Sequence, residues 1–564
     1  MRRRLALVLE LAALVALPAS ASADVTLSDF KVEPSSKAAG GHPEVTITQN
    51  FGYGASTSDS VKDAFVRLQP GLLGNPQSAG FCTQEQFKSD TCPADSTVGS
   101  VAVDADVRAL PLLPPLPVTS HGTVYNLSPI GGEPARLGIV VEAVAGLIGE
   151  PLFLQAPVYV RPGPDGYGLE STFADQPNQA AGGIPIQIKK IALTLNGQAS
   201  KGPFMRMPTS CAEGRSLSRA NSWEASNVFF ERDFLMTPTD CDKLPFNPKA
   251  EGSMGAPGIT SAHEFPPVST TLKFDPEEAA LKRAEVILPL SLGPNLPGAQ
   301  RACSRELANA SNCPESSRVG TAIIDSPLQP QPVRGPVYIA FNTANPLPGL
   351  LVILPPPVGV RLDGQVDPIT AGTRNTFASN PDLPVRSFTL SFEGGRPDSA
   401  LVLTQDLCAA GTDLTMSVKM IAHNGKQAEF EQELATPGCD PRARVSLRRR
   451  GFRASLVARL RAAPRGPGIT SFGLRLPKTL RRGKARPFVL ANGARMRPLS
   501  RKRLATMPFP GEVRSATVVW RGLRASRRLR RTTRVRLTMT DARGATTKLN
   551  PRVRVRGKRP TRRR

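Results

Sequence analysis

Apolar and polar residues alternate through long stretches of this chain. In IKKIALTL (188–195) Ile191, Leu193 and Leu195 fall on every second position, and in VRSFTLSF (385–392) Phe388, Leu390 and Phe392 do the same. A period of two predicts half-buried strands. Asn196-Gly197 and Gly394-Gly395 follow directly, pairs that supply the positive φ of a tight hairpin. Returning segments, FMRM and LVL, then lead to Cys211 and Cys408. The same alternation returns near the C-terminus, where RVRLTMT (534–540) and PRVRVRG (551–557) set Val535, Leu537, Val553 and Val555 against arginines. SFGLRLP, with Phe472, Leu474 and Leu476, adds a third such strand. The pattern predicts a mainly β protein made of tandem antiparallel β-sandwich (Ig-like) domains, each large one with seven to nine strands.

The chain repeats itself. CTQEQFKSDTCPADSTVGS (82–100) and CSRELANASNCPESSRVGT (303–321) are offset by 221, and the likeness continues downstream. HGTVY (121–125) matches RGPVY (334–338), STFADQP (171–177) matches NTFASNP (375–381), and the offset falls stepwise to 197. Each fall is a loop shortened in the second copy while the strands keep register. The expected organisation is a segment 1–23, a first repeat at 24–248, a second at 249–441, a basic β-sandwich domain at 442–557 and a basic tail at 558–564.

All eight cysteines fall into the two copies, four in each. In an exported chain, even numbers of regularly spaced cysteines read as disulfides. The pairs expected are Cys82 with Cys92, Cys211 with Cys241, Cys303 with Cys313, and Cys408 with Cys439. The two short ones would staple a helical turn, capped by Thr83 with Gln86 in one copy and by Ser304 in the other. After each staple, Asp95 and Ser96, or Glu315 and Ser316, either join a binding site or form a turn by bonding nearby amides; the turn is the simpler reading. Zinc is disfavoured, because ligand pairs two to four residues apart are missing.

These residues carry a resemblance. The C-x9-CP run, GGHPEVT (40–46), PTSC (208–211) and TDCDKLPF (239–246) look like a family of large secreted actinobacterial proteins with tandem cysteine-stapled β-domains. The likeness spans roughly 24–441 and implies export and stapled β-domains. It carries over no catalytic residue. The second copy departs from the pattern at SAHEFPP and TPGCDPRA, which implies remodelled edges.

Export is also expected from the first residues. Arg2, Arg3 and Arg4 precede an apolar run from Leu5 to Leu17 and then Ala21-Ser22-Ala23, the order of a signal peptide cleaved after Ala23. Glu10 interrupts the run, so an uncleaved anchor is the alternative.

Charge divides the chain. From residue 441 onward there are 39 Lys and Arg against only Glu512 and Asp541, while the preceding residues carry 33 basic and 44 acidic side chains. A small domain of net +37 attracts polyanions. The arginines expected to form the face are Arg534, Arg536, Arg552, Arg554 and Arg556, which alternate with apolar positions and so share one side of a sheet. Solvated charge from an arginine-rich codon bias is the competing reading, although it does not account for the scarcity of acids. A sequence-specific nucleic-acid partner is disfavoured, since no reading helix or stacking motif appears.

Catalytic chemistry finds little support. His42 and His263 share the 221 offset and read as matched structural positions, His121 is replaced by Arg334, and His423 lies in a turn sequence. There is no G-x-S-x-G, H-E-x-x-H or P-loop. Acidic neighbours such as Asp104 with Asp106, or Glu277 with Glu278, suit a glycosidase only if a cleft brings two carboxylates together. LPKTL (476–480) lacks the glycine of a sortase signal. The reading is a non-enzymatic, secreted cell-envelope protein whose basic domain adheres to an anionic wall polymer or membrane surface. It needs no cofactor or metal, and the sequence assigns no oligomeric state. The alternative is an extracellular carbohydrate-active hydrolase with a cleft between the two large domains.

Overall fold

The computed structural model describes residues 25–54, 59–108, 114–142, 150–180, 183–342, 347–409, 411–463 and 466–557. The N-terminal segment 1–23 and the tail 558–564, for which a signal peptide and a free basic end are expected, lie outside the described residues. The fold is mainly β, in antiparallel sheets, with only short helical turns.

The chain forms two compact units, one of Met1–Pro208 with Ala212–Thr239, the other of Thr209–Cys211 with Asp240–Arg564. In the first, one sheet runs in the order Val25–Pro34, Val45–Tyr53, Ile184–Leu195, Thr97–Val107, Leu116–Leu127, Ala135–Val141, Leu152–Gly163, Gly166–Phe173, Val61–Arg67, Gly214–Ser222 and Phe230–Met236. In the second, eleven strands follow the same permutation, from Lys249–Met254 to Gln427–Glu433. The duplication read from sequence is therefore a duplication of topology.

Each of these sheets folds back on itself. The first strand of the first sheet lies beside its last, and the gap is bridged where Ala39 N donates to Thr239 O at 2.8 Å. In the second copy Ala435 N donates to Gly252 O at 2.8 Å and Met254 N to Ala435 O at 2.9 Å. The two walls of each sheet face each other as sandwich layers do, around an apolar interior. Eleven strands on one path exceed the seven to nine that alternation predicts. Pro117, Pro157 and Pro162 lie inside two long strands, Leu116–Leu127 and Leu152–Gly163, and proline punctuation hides such strands from a sequence reading.

The repeated cysteine motif is a covered corner of the sheet. The disulfides of the structure join Cys82 to Cys92, Cys211 to Cys241, Cys303 to Cys313 and Cys408 to Cys439, with Cα separations of 5.1, 6.0, 5.5 and 5.3 Å. Thr83 and Gln86 form a reciprocal capping box on helix Gln84–Lys88, and the Ser304 side chain accepts from Leu307 N at the start of Arg305–Asn309. Main-chain bonds tie each staple to the sheet: Cys82 N to Asn126 O at 2.9 Å, and Cys303 N to Ile339 O at 2.9 Å. The Val-Gly that closes the motif starts the next strand at a bulge, between Thr97 and Gly99 or between Arg318 and Gly320. A side chain at Gly99 or Gly320 would collide with the carbonyl of Thr194 or Ser391 on the adjacent strand. That close approach is why glycine stands there twice.

Beneath the staple the two copies differ in a compensating way. In the first, the Phe87 ring is buried against Leu127 and Val140 and meets Phe153 edge-on at 5.5 Å. A Cβ on Gly138 would stand 2.6 Å from that ring. Tyr125 pairs with Gly138, and its match Tyr338 pairs with Leu351. In the second copy the large residue is Leu351 and the small one is Ala308, buried in one cluster. The bulk has changed sides across one contact.

The C-terminal part, within the second unit, is a true two-sheet sandwich. An eight-stranded sheet and a five-stranded sheet enclose a core that includes Leu456, Phe472, Leu474, Trp520, Leu537 and Val553.

Two measurements check this architecture. Phe87→Ala should destabilise the first unit by about 3–5 kcal/mol, and Gly138→Leu by about 1–3 kcal/mol through overpacking. The double variant, which recreates the second copy's arrangement, should recover a substantial part of that loss in a denaturant-unfolding double-mutant cycle; strict additivity would show that the swap is not compensatory. Non-reducing peptide mapping should return the four pairs above, and loss of either ten-residue staple should cost about 2 to 3 kcal/mol by loop entropy.

Candidate functional site

The basic face is built by alternation. In strand Arg442–Arg450, Val445 and Leu447 turn inward while Arg442, Arg444 and Arg448 are exposed. In Arg453–Arg461, Ala454, Leu456, Ala458 and Leu460 fill the core and Arg453, Arg459 and Arg461 point out. The hairpin turns at Gly451, whose φ of 58° lies in the left-handed region. Strand Arg552–Arg556 runs parallel to the first of these, and Thr532–Arg534 pairs with it on the other side.

Register then sets arginine beside arginine. Arg442 pairs with Arg461, Arg444 with Arg459 and Arg450 with Arg453. Arg453 also neighbours Arg524, Arg448 neighbours Arg556, and Arg534 faces Arg552. These are six like-charged pairs on the outer face of one sheet. Directly opposite side chains have Cβ atoms about 4.5–5.5 Å apart, and like charges there are destabilising.

Of the five arginines singled out from sequence, the structure brings Arg534, Arg552, Arg554 and Arg556 together on this sheet, all exposed. Arg536 begins strand Arg536–Asp541 of the five-stranded sheet, where it is exposed beside Arg475. The reason is local: Val535 is fully buried between Arg534 and Arg536, and the chain changes sheets there. Arg442, Arg444, Arg448, Arg453, Arg459 and Arg461 are functional candidates that the sequence reading did not single out. Their signal was present, because RARVSLRRRGFRASLVARLR alternates on both sides of a glycine turn.

Neither acid of this part of the chain, Glu512 or Asp541, pairs with the face. Asp541 is 2% exposed and binds Arg543 at 3.0 Å, while its carboxylate also accepts from Ala545 N. Glu512 accepts from Gly468 N at 3.0 Å. Buried Arg449 serves the fold, since its guanidinium donates to the carbonyls of Gly451, Ser526 and Leu529. Arg495 stacks over Phe488 at 4.1 Å and Arg527 over the half-exposed Phe452 at 5.8 Å, which holds guanidinium planes at the surface.

The other candidates take structural positions. His42 Nδ1 lies 2.8 Å from Met205 O and His423 Nε2 lies 3.0 Å from Asn380 O. His263 occupies a turn with φ of 67°. Asp104 accepts from Thr119 Oγ1, Asp106 pairs with Lys189, and Glu278 accepts from the main chain and side chain of Asn247. Ser96 Oγ donates to Pro93 O at 2.6 Å within a turn. Its structural match in the second copy is buried Ser317, while Ser316 is exposed. Burial pushes the Tyr53 hydroxyl up to about 12, and it donates to Ile188 O at 2.6 Å, which keeps it protonated. Among the described residues no group of three or more His, Cys, Asp or Glu could hold a metal ion, and no helix is long and apolar enough to cross a membrane.

No protein-family model matches the chain, and no curated protein matches it in sequence. Solved structures match only distantly. The MSCRAMM ACE of Enterococcus faecalis, which binds its ligands by the collagen hug model, is 8% identical, with 55% of this chain and 95% of that chain covered and a TM-score of 0.17. A DUF4785 family protein of Legionella pneumophila is 9% identical over 94% of this chain and 91% of its own, with a TM-score of 0.18. The T6 backbone pilin of serotype M6 Streptococcus pyogenes is 8% identical over 80% and 78%, with a TM-score of 0.17. Similarity at this level carries no argument about what this chain does.

Proposed function

We propose that this chain is a secreted, non-enzymatic protein of the cell envelope, akin to the secreted actinobacterial family it resembles, and that its C-terminal arginine face adheres to an anionic polymer. The observation that carries the reading is the set of six arginine pairs in register on one exposed sheet face. A fold that sets like charges side by side is under repulsion that a polyanion relieves. The four disulfides fit an oxidising compartment. The recognised chemistry is repeated phosphate or carboxylate, met by guanidinium groups that bind either one in bidentate fashion. Recognition is broad, because the face holds rows of charge rather than an enclosed pocket.

Binding of the full chain to purified anionic wall polymer should weaken steeply with salt, by about 100-fold or more between 50 and 200 mM, because each neutralised charge releases a counterion. Replacing Arg444, Arg459, Arg552 and Arg554 with Gln should flatten that dependence and reduce affinity at least tenfold. The same variant should melt at or slightly above the wild-type temperature, since each removed like-charge pair relieves a few tenths of a kcal/mol. Affinity indifferent to salt, or unchanged in the variant, would remove the proposal.

A further inference from the structure

Each duplicated sheet encloses a cavity that its own side chains leave unfilled, of ≈ 110 Å³ in the first copy and ≈ 120 Å³ in the second. The two occupy matched positions. Ala64, Val66 and Leu68 line one, and Ala284, Val286 and Leu288 line the other. Ladder partners confirm the match, since Ala64 pairs with Phe173 and Ala284 with Phe377, and both phenylalanines are also in the walls. Ile191 and Leu193 correspond in the same way to Phe388 and Leu390. Several of these apolar side chains remain partly exposed although they point inward, among them Val66, Phe173, Val286, Phe388 and Leu390. Well-packed interiors hold few voids larger than a water molecule. A void that recurs at the same place in two copies of low sequence similarity is a property of the fold.

The chemistry of the walls limits what enters. Polar residues on the first lining are already engaged: Gln49 donates to Ser218 at 2.7 Å, Asn126 to the carbonyls of Pro76 and Gly80, and Glu170 pairs with Arg67 at 3.0 Å. The rest of the lining is almost wholly aliphatic or aromatic, so a water cluster would find few partners. In the second copy Asp275, Glu278, Asn375 and Asn380 stand among the lining residues, and neither lining contains Lys or Arg. An anionic head group would meet the Asp275 and Glu278 carboxylates of the second lining, and the one carboxylate of the first, Glu170, already holds Arg67. A dry apolar cavity of about 150 Å³ admits a benzene-sized ligand, so these interiors suit the end of a hydrocarbon chain whose remainder leaves through the mouth.

We propose that each copy binds the terminal segment of a linear alkyl or prenyl chain carried by a lipid with an uncharged head, one chain per copy. This inference is independent of the polyanion reading, as it concerns the duplicated sheets and no residue of the arginine face.

The test uses the oxidised full chain and two probes, 1-hexadecanol and hexadecanoate, with binding counted by native mass spectrometry and by equilibrium partition of labelled probe. Two equivalents of hexadecanol are expected per chain, with hexadecanoate at least tenfold weaker. Val66→Phe should remove one equivalent by filling the first cavity, Val286→Phe should remove the other, and the double variant should bind none. Each filled variant should melt no lower than wild type; where one does, Ala64→Leu or Ala284→Leu fills the same space by a smaller step. Absence of hexadecanol binding in the folded wild type would overturn the proposal, as would unchanged stoichiometry in filled variants of wild-type stability. Equal affinity for hexadecanoate would overturn the assignment of an uncharged head.

Discussion

Strand Ala135–Val141 carries apolar side chains on both faces, and a strand of that kind has to be covered twice. Leu137, Ile139 and Val141 point to the interior of the first sheet, while Val140 lies on the outside under Phe87. The outer cover is a five-residue helix, far too short to hold itself together in water. The Cys82–Cys92 bond, the Thr83–Gln86 capping box and two main-chain bonds to the neighbouring strand hold it in place. The staple thus matters less as a cross-link in a loop than as the clamp on a lid. Without it the outside of the strand would be an apolar patch facing solvent. The same arrangement recurs at Cys303–Cys313 over Leu351, where the bulk comes from the strand because the lid offers only alanine.

A different constraint governs the C-terminal sandwich. Its inner faces are ordinary, a closed apolar core around fully buried Trp520, and that core tolerates an outer surface in which repulsion is built into the register. The burial of the inward residues fixes the register, because a slip of one position would carry every arginine into the core. Arg449 shows the cost of turning one inward: it needs carbonyls of three different residues to satisfy it. The arginine rows are therefore held in place by the packing on the opposite side of the same strands and cannot spread without unfolding the sheet.

Much of this was legible in the chain itself. The class of fold, the duplication and the four cysteine pairs follow from alternation, offsets and parity, which are local or countable. What the sequence hid is what depends on three-dimensional closure. That each large sheet is one continuous path returning on itself depends on pairings such as Val61–Arg67 with Gly166–Phe173, a hundred residues apart. Prolines inside Leu116–Leu127 and Leu152–Gly163 masked two strands, and the near-continuous apolar run of Ala135–Val141 shows no period of two because both its faces are buried. At the arginine face, alternation sets Arg534 and Arg552 on one side, and both are exposed, but only the structure shows that they are neighbours and that Arg536 belongs to the other sheet. The turn serine is 317 rather than 316, a match that the offset of 221 from Ser96 already carries and that burial agrees with.

Between the two copies some contacts have drifted and others have stayed. On the outside of the wall, Phe87 over Gly138 has become Ala308 over Leu351, a trade of volume that preserves contact while changing the atoms involved. On the inside, alanine stays opposite phenylalanine, at Ala64 with Phe173 and at Ala284 with Phe377. Elsewhere on the inner wall the residues do change, Ile191 giving way to Phe388, yet the larger residues at the alanine positions that would close the gap do not appear. Volume-conserving drift outside, together with a persistent small residue beside an unfilled space inside, is the pattern expected where the outer contact serves only to pack and the inner one keeps room for something else.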